Sequence, residues 1–297
     1  MIQGCVRASL VGLVVLATSA TAFADPIVPR ETADVLPAGR VAFGLFNPLR
    51  VGLPHVELEL HPLLALVAPH VDARFWLAKA LRPGALRVSG VVGVAVPTGG
   101  FRLGKPFGIS GDLVPSCLVA KHDPSQSGWC DRPGWMVVPK LGLAVSKGVF
   151  VRDNAERGVF TLRGGFAKGF AASGKEVRPL DAWAPITVQL APFLGKWRAE
   201  LRAAYDHAVL DGLRLRGELG VTWLGRPEDD PLSPLFLNAY LGVDVQTSEH
   251  SRVTLGAMVW NADKHRRVVE TGPDGFATAS YPRSFEVWPT VDLLWRY

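Results

Sequence analysis

Apolar and polar residues alternate along several segments of the chain. In KWRAELRAAYDHAV, residues 196–209, the odd-numbered positions are apolar except for one histidine, and most of the even-numbered positions are charged. A β-strand sends successive side chains to opposite faces, so as a strand this segment has one apolar side and one charged side. The segment also has apolar residues four positions apart and good helix formers, so by itself it is compatible with a helix.

The following segment, LRLRGELGVTWLG (213–225), favours strands. The side chains of Leu213, Leu215, Leu219, Val221 and Trp223 fall on one parity, and its arginine, glutamate and threonine side chains fall on the other. Each of its three glycines would destabilise a helix by about 1 kcal/mol. Because LDG (210–212) between the two runs suits a tight turn, the two segments predict a β-hairpin.

Alternation of the same kind recurs along the whole chain and predicts an all-β fold. The patterns place about twelve strands near 40–46, 54–61, 70–79, 86–97, 137–148, 158–170, 186–193, 196–209, 213–225, 235–246, 251–261 and 284–297.

The first residues of the chain have a different composition. Arg7 precedes the apolar run ASLVGLVVLA, and the motif A-F-A occupies 22–24. A charged start, a short apolar run and an A-x-A ending are typical of a secretory signal peptide, cut here before Asp25. We therefore expect a signal peptide at 1–24 and one domain at 25–297.

An exported protein made of alternating strands has two arrangements open to it. In a soluble barrel or sandwich, the apolar side faces the interior and the charged side meets bulk water. In a transmembrane barrel, the apolar side faces lipid and the charged side faces an enclosed lumen. The sequence after residue 24 has no apolar run long enough to span a membrane as a helix, whereas a barrel strand needs only about 9–11 residues.

The end of the chain favours the transmembrane arrangement. In VDLLWRY the alternate positions are apolar or aromatic and the last residue is aromatic: Val291, Leu293, Trp295 and Tyr297. This ending resembles the C-terminal assembly signal of bacterial outer-membrane β-barrel proteins of the porin-like type. The resemblance implies a transmembrane antiparallel up-and-down β-barrel in the bacterial outer membrane, with outer-membrane lipid and the barrel-insertion machinery as partners.

The strand directions follow if the C-terminus is periplasmic. Residues 210–212 and 247–250 then form short periplasmic turns, while 226–234 and 262–283 form longer external connections, as barrels of this kind prefer. The long segments 98–136 and 171–185 also fall on the periplasmic side, which does not fit. Either a further hairpin lies within 98–136, giving fourteen strands, or that segment is an insertion at the barrel mouth or inside the lumen.

The segment 98–136 contains both cysteines that remain after residue 24, Cys117 and Cys130. An even number of cysteines in an exported protein favours a disulfide, which would stabilise the fold by about 3 kcal/mol in the chain-entropy model. Two unpaired thiols remain the alternative, because the pairing does not follow from the sequence.

The inward positions of the predicted strands carry charges of both signs, with a small basic excess. Such side chains must line water or pair with one another, because Arg or Lys facing hydrocarbon costs about 2–4 kcal/mol at the midplane of a bilayer. The sequence thus predicts either a narrow aqueous pore that favours small anions or a nearly closed lumen of interlocking ion pairs. The densest stretch lies on two adjacent strands, where an arginine-rich wall is expected from Arg198, Glu200, Arg202, Arg214, Arg216 and Glu218.

Two other patterns indicate binding chemistry only weakly. GFAASGKE (169–176) fits G-x-x-x-x-G-K, but Glu176 stands where a phosphate-binding loop has Ser or Thr. His55, Glu57, Glu59 and His61 share one strand face, but alternate residues of a strand are spread along it, which suits lumen lining better than one metal site.

His207 and the adjacent Asp206 suggest a lipid hydrolase, but no serine is placed beside them and no G-x-S-x-G motif occurs. The basic residues alternate with apolar ones and form no exposed run, so nucleic acid is not an expected partner. We therefore expect a passive channel for small solutes, anions among them, with no catalytic residues, metal or cofactor. The alternative is a closed barrel with a structural, adhesive or lipid-modifying enzymatic role.

Overall fold

The structure is a computed structural model. It describes residues 32–44, 47–62, 65, 68–96, 136–152, 155–171, 184, 188–189, 191–194, 197–225, 234–263, 268–271, 277–280 and 283–297. The expected signal peptide at 1–24 and the expected disulfide between Cys117 and Cys130 lie outside these residues.

The described residues are mostly β-strand. The strands are β1 (Val41–Gly44), β2 (Leu49–Leu53), β3 (Val56–Leu60), β4 (His70–Ala78), β5 (Leu86–Ala95), β6 (Met136–Arg152), β7 (Ala155–Lys168), β8 (Phe170–Ala171), β9 (Trp197–Leu210), β10 (Leu213–Leu224), β11 (Leu235–Gln246), β12 (Ser251–Asp263), β13 (Val268–Thr271), β14 (Ala277–Ser280) and β15 (Arg283–Arg296). A 3-10 helix occupies Ala191–Leu194. Within the described ranges, no helix has the length and hydropathy needed to cross a bilayer.

Twelve of these strands close into one antiparallel barrel. Each pairs with the next barrel strand in the chain, from β1 through β7, then β9 to β12, then β15. The barrel closes where β15 pairs with β1, with Arg296 opposite Ala42. The short β8 pairs with the start of β6, and β13 and β14 form a separate hairpin. Closure leaves the twelve barrel strands without a free edge, which confirms the predicted fold class.

The number of barrel strands agrees with the sequence prediction, but one predicted strand is replaced by another. The prediction of a strand at 186–193 is wrong, since the described residues there are helical at 188–189 and in the 3-10 helix. Pro185 and Pro192 explain this, because proline cannot donate to a strand ladder. The unpredicted strand is β2, which pairs with β1 and β3. Its sequence, LRVGL, alternates less clearly than that of β3, because Gly52 has no side chain on the inward face.

This exchange also corrects the placement of the long connections. With β2 included, the connections 54–55, 79–85, 153–154, 211–212 and 247–250 all lie at one end of the barrel, here called the turn end. The longer connections, 61–69, 96–135, 169–196, 225–234 and 264–282, start and finish at the opposite end, here called the loop end. The misfit of 98–136 and 171–185 with the predicted strand directions therefore came from the missed strand β2. A fourteen-strand barrel is wrong, because β5 pairs directly with β6.

The two faces of the barrel wall have opposite character. Leu219 and Leu241, which point outward, are 68% and 69% exposed, whereas the inward-pointing Glu57, Asp206 and Arg214 are at most 1% exposed. A soluble barrel would bury the leucines and expose the charges. The observed arrangement is that of a transmembrane barrel, in which lipid contacts the apolar face.

Candidate functional site

The lumen contains a chamber of about 720 Å³. Every second residue of a strand points inward, so strands all around the barrel contribute side chains to the chamber. The lining includes six basic and five acidic residues: Arg74, Lys140, Arg163, Arg198, Arg202 and Arg216, with Glu59, Asp72, Glu200, Glu218 and Asp292.

Glu218 on β10 lies at the centre of the arginine-rich wall. Its carboxylate contacts Arg163 of β7 at 2.7 Å, Arg216 of β10 at 2.7 Å and Arg202 of β9 at 3.1 Å. The Glu218 side chain is only 5% exposed, so these contacts lie away from bulk water. Charge-assisted contacts of this kind are strong, and one buried carboxylate thus organises three guanidinium groups from three adjacent strands.

Two further acids contact the same arginines. Glu200 lies 3.2 Å from Arg202, and Asp206 lies 3.5 Å from Arg216. The wall is therefore a network of paired charges of both signs. Of the two outcomes predicted for the inward charges, the interlocking of ion pairs describes this part of the lumen.

The remaining two arginines predicted for the wall lie apart from each other. Arg198 lines the chamber, where Nη1 donates to the Gln189 side-chain oxygen at 2.7 Å and to the Val188 carbonyl at 3.3 Å. Arg214 is 1% exposed, lies nearer the turn end, opposite Asp244 of β11, and is not part of the chamber lining. The structure therefore brings five of the six predicted wall residues to the chamber.

Strands β2 to β6 carry further ion pairs on the lumen side. Arg50 contacts Glu57 at 2.5 Å, and Lys140 contacts Asp72 at 3.2 Å. His55 lies in the β2–β3 turn, whereas Glu57 points into the barrel. In the part of the chain that the structure describes, no group of three metal-ligating side chains is assembled.

Residues 32–36, here called the N-terminal segment, lie inside the barrel near the turn end. The backbone N–H of Ala33 donates to Ser146 Oγ of β6 at 2.7 Å, and the N–H of Leu36 donates to Glu57 of β3 at 2.5 Å. Ala33 is fully buried. Nothing in the alternation pattern predicted this segment, because it is neither a strand nor a helix.

Two arginines of the barrel wall also hold the N-terminal segment. Arg87 of β5 contacts the Asp34 carboxylate at 3.2 Å, and Arg74 of β4 donates to the Thr32 carbonyl at 2.8 Å. Four strands, β3 to β6, therefore anchor this segment, which narrows the lumen on the turn-end side of the chamber.

The connection between β7 and β9 narrows the loop end. Ala184 is buried, and its backbone N–H donates to the Glu286 carboxylate of β15 at 2.8 Å. Together with the bond from Arg198 to Gln189, this places Ala184 and residues 188–189 of the connection in the barrel mouth. Ala184, Val188 and Ala191 belong to a buried apolar cluster with Leu224, Phe236 and Trp260 of the barrel wall.

The residues of the expected assembly signal lie on the outward side of β15 and at the C-terminus. Trp295 stacks on Phe43 of β1 with ring centroids 5.4 Å apart, and Tyr297 stacks on His250 at 5.5 Å. Val291 is 55% and Leu293 38% exposed. The aromatic residues thus cover the seam at which the barrel closes.

His207 and Asp206 do not form a pair. Asp206 is 1% exposed and points into the lumen, whereas His207 points outward and contacts the Tyr205 hydroxyl through Nδ1 at 3.1 Å. Consecutive residues of a strand lie on opposite faces, which separates the two side chains.

No protein-family model matches the chain. No curated protein sequence is similar to it. A trimer form of OmpT, an outer membrane protein of Vibrio cholerae, superposes with a TM-score of 0.43 and 9% identity over 95% of this chain and 74% of that one. Outer-membrane expressed OmpT of Vibrio cholerae has a TM-score of 0.42 and 9% identity over 84% of this chain. The copper transporter OprC has a TM-score of 0.31 and 12% identity over 88% of this chain.

The chain spans 64% of the length of outer-membrane expressed OmpT and 42% of that of OprC, which is less than two thirds in both cases. At such identities the similarity concerns the fold alone. The closed twelve-stranded wall, its apolar exterior and its ionised interior give this chain the architecture of an outer-membrane β-barrel protein.

Proposed function

We propose that this protein is exported to the bacterial outer membrane, where it works as a narrow passive pore for small polar solutes. The observation that carries the proposal is the chamber of about 720 Å³ in the lumen, lined by ionised side chains from strands around the barrel. Side chains of this kind favour a hydrated space, and a hydrated lumen is the route that solutes take through barrel pores.

The wall around Glu218 supports a modest preference for anions. Arg163, Arg202 and Arg216 share this one carboxylate, so three guanidinium groups surround a single buried acid in this part of the lumen. Arg198 contacts an amide and a carbonyl instead of a carboxylate. The preference should be weak, because the whole lining has six basic and five acidic residues.

Conductance measured across a planar bilayer tests the proposal. The purified full-length mature protein should give small conductance steps that rise with salt concentration. In a KCl gradient, the reversal potential should shift towards that of chloride. Persistent silence of a folded, inserted barrel would exclude the pore.

A closed barrel with a structural role is the second candidate. The N-terminal segment and the interlocked ion pairs around Glu218 favour it, because both occupy lumen space. A variant that lacks residues 25–36 separates the two candidates. If only this shortened protein conducts, the intact protein is a closed barrel.

A lipid-modifying enzyme has less support. Among the described residues, the outward-facing His207 contacts Tyr205 and no serine. Incubation of the folded protein with phospholipid vesicles, followed by assay of released fatty acid, tests this alternative directly.

A further inference from the structure

Lys147 occupies an unusual place on the outside of the barrel. It lies on β6 and points outward, in the apolar face that the other strands present. Among the described outward-facing strand residues, only Lys147 carries an ionised side chain more than four positions from a strand end. No ion pair to a described residue accounts for this placement.

The neighbours of Lys147 on the outer face are apolar. In the barrel register, Lys147 lies between Leu86 of β5 and Phe160 of β7, which are 53% and 43% exposed. Val149, the next outward residue of β6, is 55% exposed. The lysine stem is thus placed among side chains that contact lipid tails in a membrane.

A tyrosine and a histidine lie near Lys147 towards the turn end. Tyr205 of β9 is the register neighbour of Phe160, so its Cα is two strand spacings, or about 10 Å, from that of Lys147. The Tyr205 ring leans back over β7, where Gly158 makes room for it; a Cβ there would lie 2.7 Å from the Tyr205 hydroxyl and 3.0 Å from Phe150 Cβ of β6. The hydroxyl therefore points towards the strand that carries Lys147.

The Tyr205 hydroxyl also contacts Nδ1 of His207 at 3.1 Å. Phe150 and His207 have ring centroids 6.0 Å apart, which joins β6 to β9 across β7 on the outer face. An ammonium group, a phenol and an imidazole thus share one outward patch, here called the β6–β9 patch and consisting of Lys147, Phe150, Phe160, Tyr205 and His207.

The energetics of the bilayer place this patch at the level of the headgroups. A lysine on the lipid face costs about 2–4 kcal/mol at the midplane but about 0–1 kcal/mol near the interface. Its flexible stem lets the ammonium reach the headgroup region while the methylenes stay in apolar surroundings. Tyrosine and histidine likewise combine an apolar ring with a polar tip suited to the interface.

We propose that the β6–β9 patch binds the phosphate of an anionic phospholipid in the leaflet at the turn end. Lys147 supplies the ammonium. Tyr205 supplies a hydroxyl donor in the tautomer in which His207 Nδ1–H donates to the phenol oxygen, which leaves the hydroxyl proton for the phosphate. Phe160 and Leu86 contact the acyl chains of the same lipid. This proposal rests on the membrane location proposed above.

Positive charge around the patch supports a negatively charged occupant. The neighbouring β4–β5 connection carries Lys79 and Arg82, both exposed, next to Leu81, which is 96% exposed. This connection is held against the β6–β7 hairpin, since the N–H of Gly84 donates to Glu156 at 2.8 Å. Basic residues near a membrane surface attract anionic lipid by about 1 kcal/mol each.

Thermal unfolding of the detergent-solubilised full-length barrel tests the site. Dioleoyl-phosphatidylglycerol should raise the apparent Tm more than dioleoyl-phosphatidylcholine at equal concentration. In native mass spectrometry, Lys147→Gln should weaken phosphatidylglycerol binding about fivefold, the change expected for ~1 kcal/mol. Tyr205→Phe should weaken it as well, with phosphatidylcholine binding unchanged.

Lys168→Gln is the matched control. Lys168 also points outward but lies at the loop end, where its ammonium is 5.2 Å from the Phe170 ring. This variant should bind phosphatidylglycerol as the unchanged protein does. Equal binding of the two lipids, unchanged binding by Lys147→Gln, or equal weakening by Lys168→Gln would each overturn the headgroup site.

Flotation with vesicles separates this site from the membrane proposal on which it rests. A refolded protein that associates with neither phosphatidylcholine nor phosphatidylglycerol vesicles would contradict the membrane location itself. A protein that inserts into both, with no dependence on Lys147, would contradict the headgroup site alone. Absence of conductance would contradict neither.

Discussion

Arg163 of β7 and Arg202 of β9 lie directly opposite each other in the barrel register, and both guanidinium groups contact the Glu218 carboxylate. Like charges on directly opposed strand residues repel each other. The shared carboxylate offsets that repulsion, so Glu218 holds the wall of the chamber together and also limits its positive charge.

Replacing Glu218 with Gln should therefore change both stability and selectivity. Removing one partner of a buried ion pair costs about 3–5 kcal/mol, because the remaining charges lose their counter-charge. We expect the free energy of unfolding in urea to fall by about 3 kcal/mol. The reversal potential in a KCl gradient should move further towards that of chloride.

Glu249→Gln is the control for this substitution, since Glu249 is an exposed residue of a turn-end connection. It removes the same charge from the chain and should leave both measurements unchanged. An unfolding curve for Glu218→Gln that coincides with that of Glu249→Gln would show that the three contacts do not stabilise the barrel.

Arg198 and Arg214 should respond differently to neutralisation. Arg198 lines the chamber and donates to an amide oxygen and a backbone carbonyl, so Arg198→Gln should lower the chloride preference with little change in unfolding. Arg214 is buried outside the chamber lining, opposite Asp244, so Arg214→Gln should destabilise the fold and leave selectivity unchanged. Reversal potentials measure the selectivity of both variants, and urea unfolding measures their stability. An equal effect of both substitutions on selectivity would contradict this division.

The alternation in β9 and β10 was sufficient to predict which side chains line the lumen, because a strand in a closed barrel has only an inward and an outward face. Other parts of the site have no such signal. The N-terminal segment is held by hydrogen bonds to Ser146 and Glu57, which are more than twenty residues away in sequence. Long-range contacts of an irregular segment leave no periodic pattern.

The wrongly predicted strand at 186–193 and the missed strand β2 also show what an alternation pattern leaves undetermined. Residues 186–193 contain alternating apolar residues, yet they form no strand where the structure describes them, because Pro185 precedes the segment and Pro192 lies within it. β2 was missed because Gly52, an inward residue of that strand, has no side chain to mark its face. Its small size is needed there, since a Cβ at Gly52 would meet the carbonyl oxygens of Leu36 and Pro37.

Removing the aromatic side chain at the C-terminus should impair assembly in cells. Tyr297 is 55% exposed and stacks on His250, so Tyr297→Ala removes little buried area and should change unfolding of the refolded barrel by less than about 1 kcal/mol. If the C-terminal residues are read by the insertion machinery, the amount of folded protein in the outer membrane should nevertheless fall severalfold. Leu241→Ala, another exposed outward position, is the control for loss of apolar surface; equal loss with both variants would argue against a C-terminal signal.

A single methyl group should displace the N-terminal segment from the lumen. Gly52→Ala places a Cβ against the backbone oxygens of Leu36 and Pro37, and because these are backbone atoms the segment itself must shift. If the N-terminal segment limits conduction, this variant should give larger conductance steps than the unchanged protein. Gly217→Ala is the matched control, because a Cβ at that position has nothing within 4 Å. Equal conductance in Gly52→Ala and Gly217→Ala, with both barrels folded, would show that the N-terminal segment does not limit conduction.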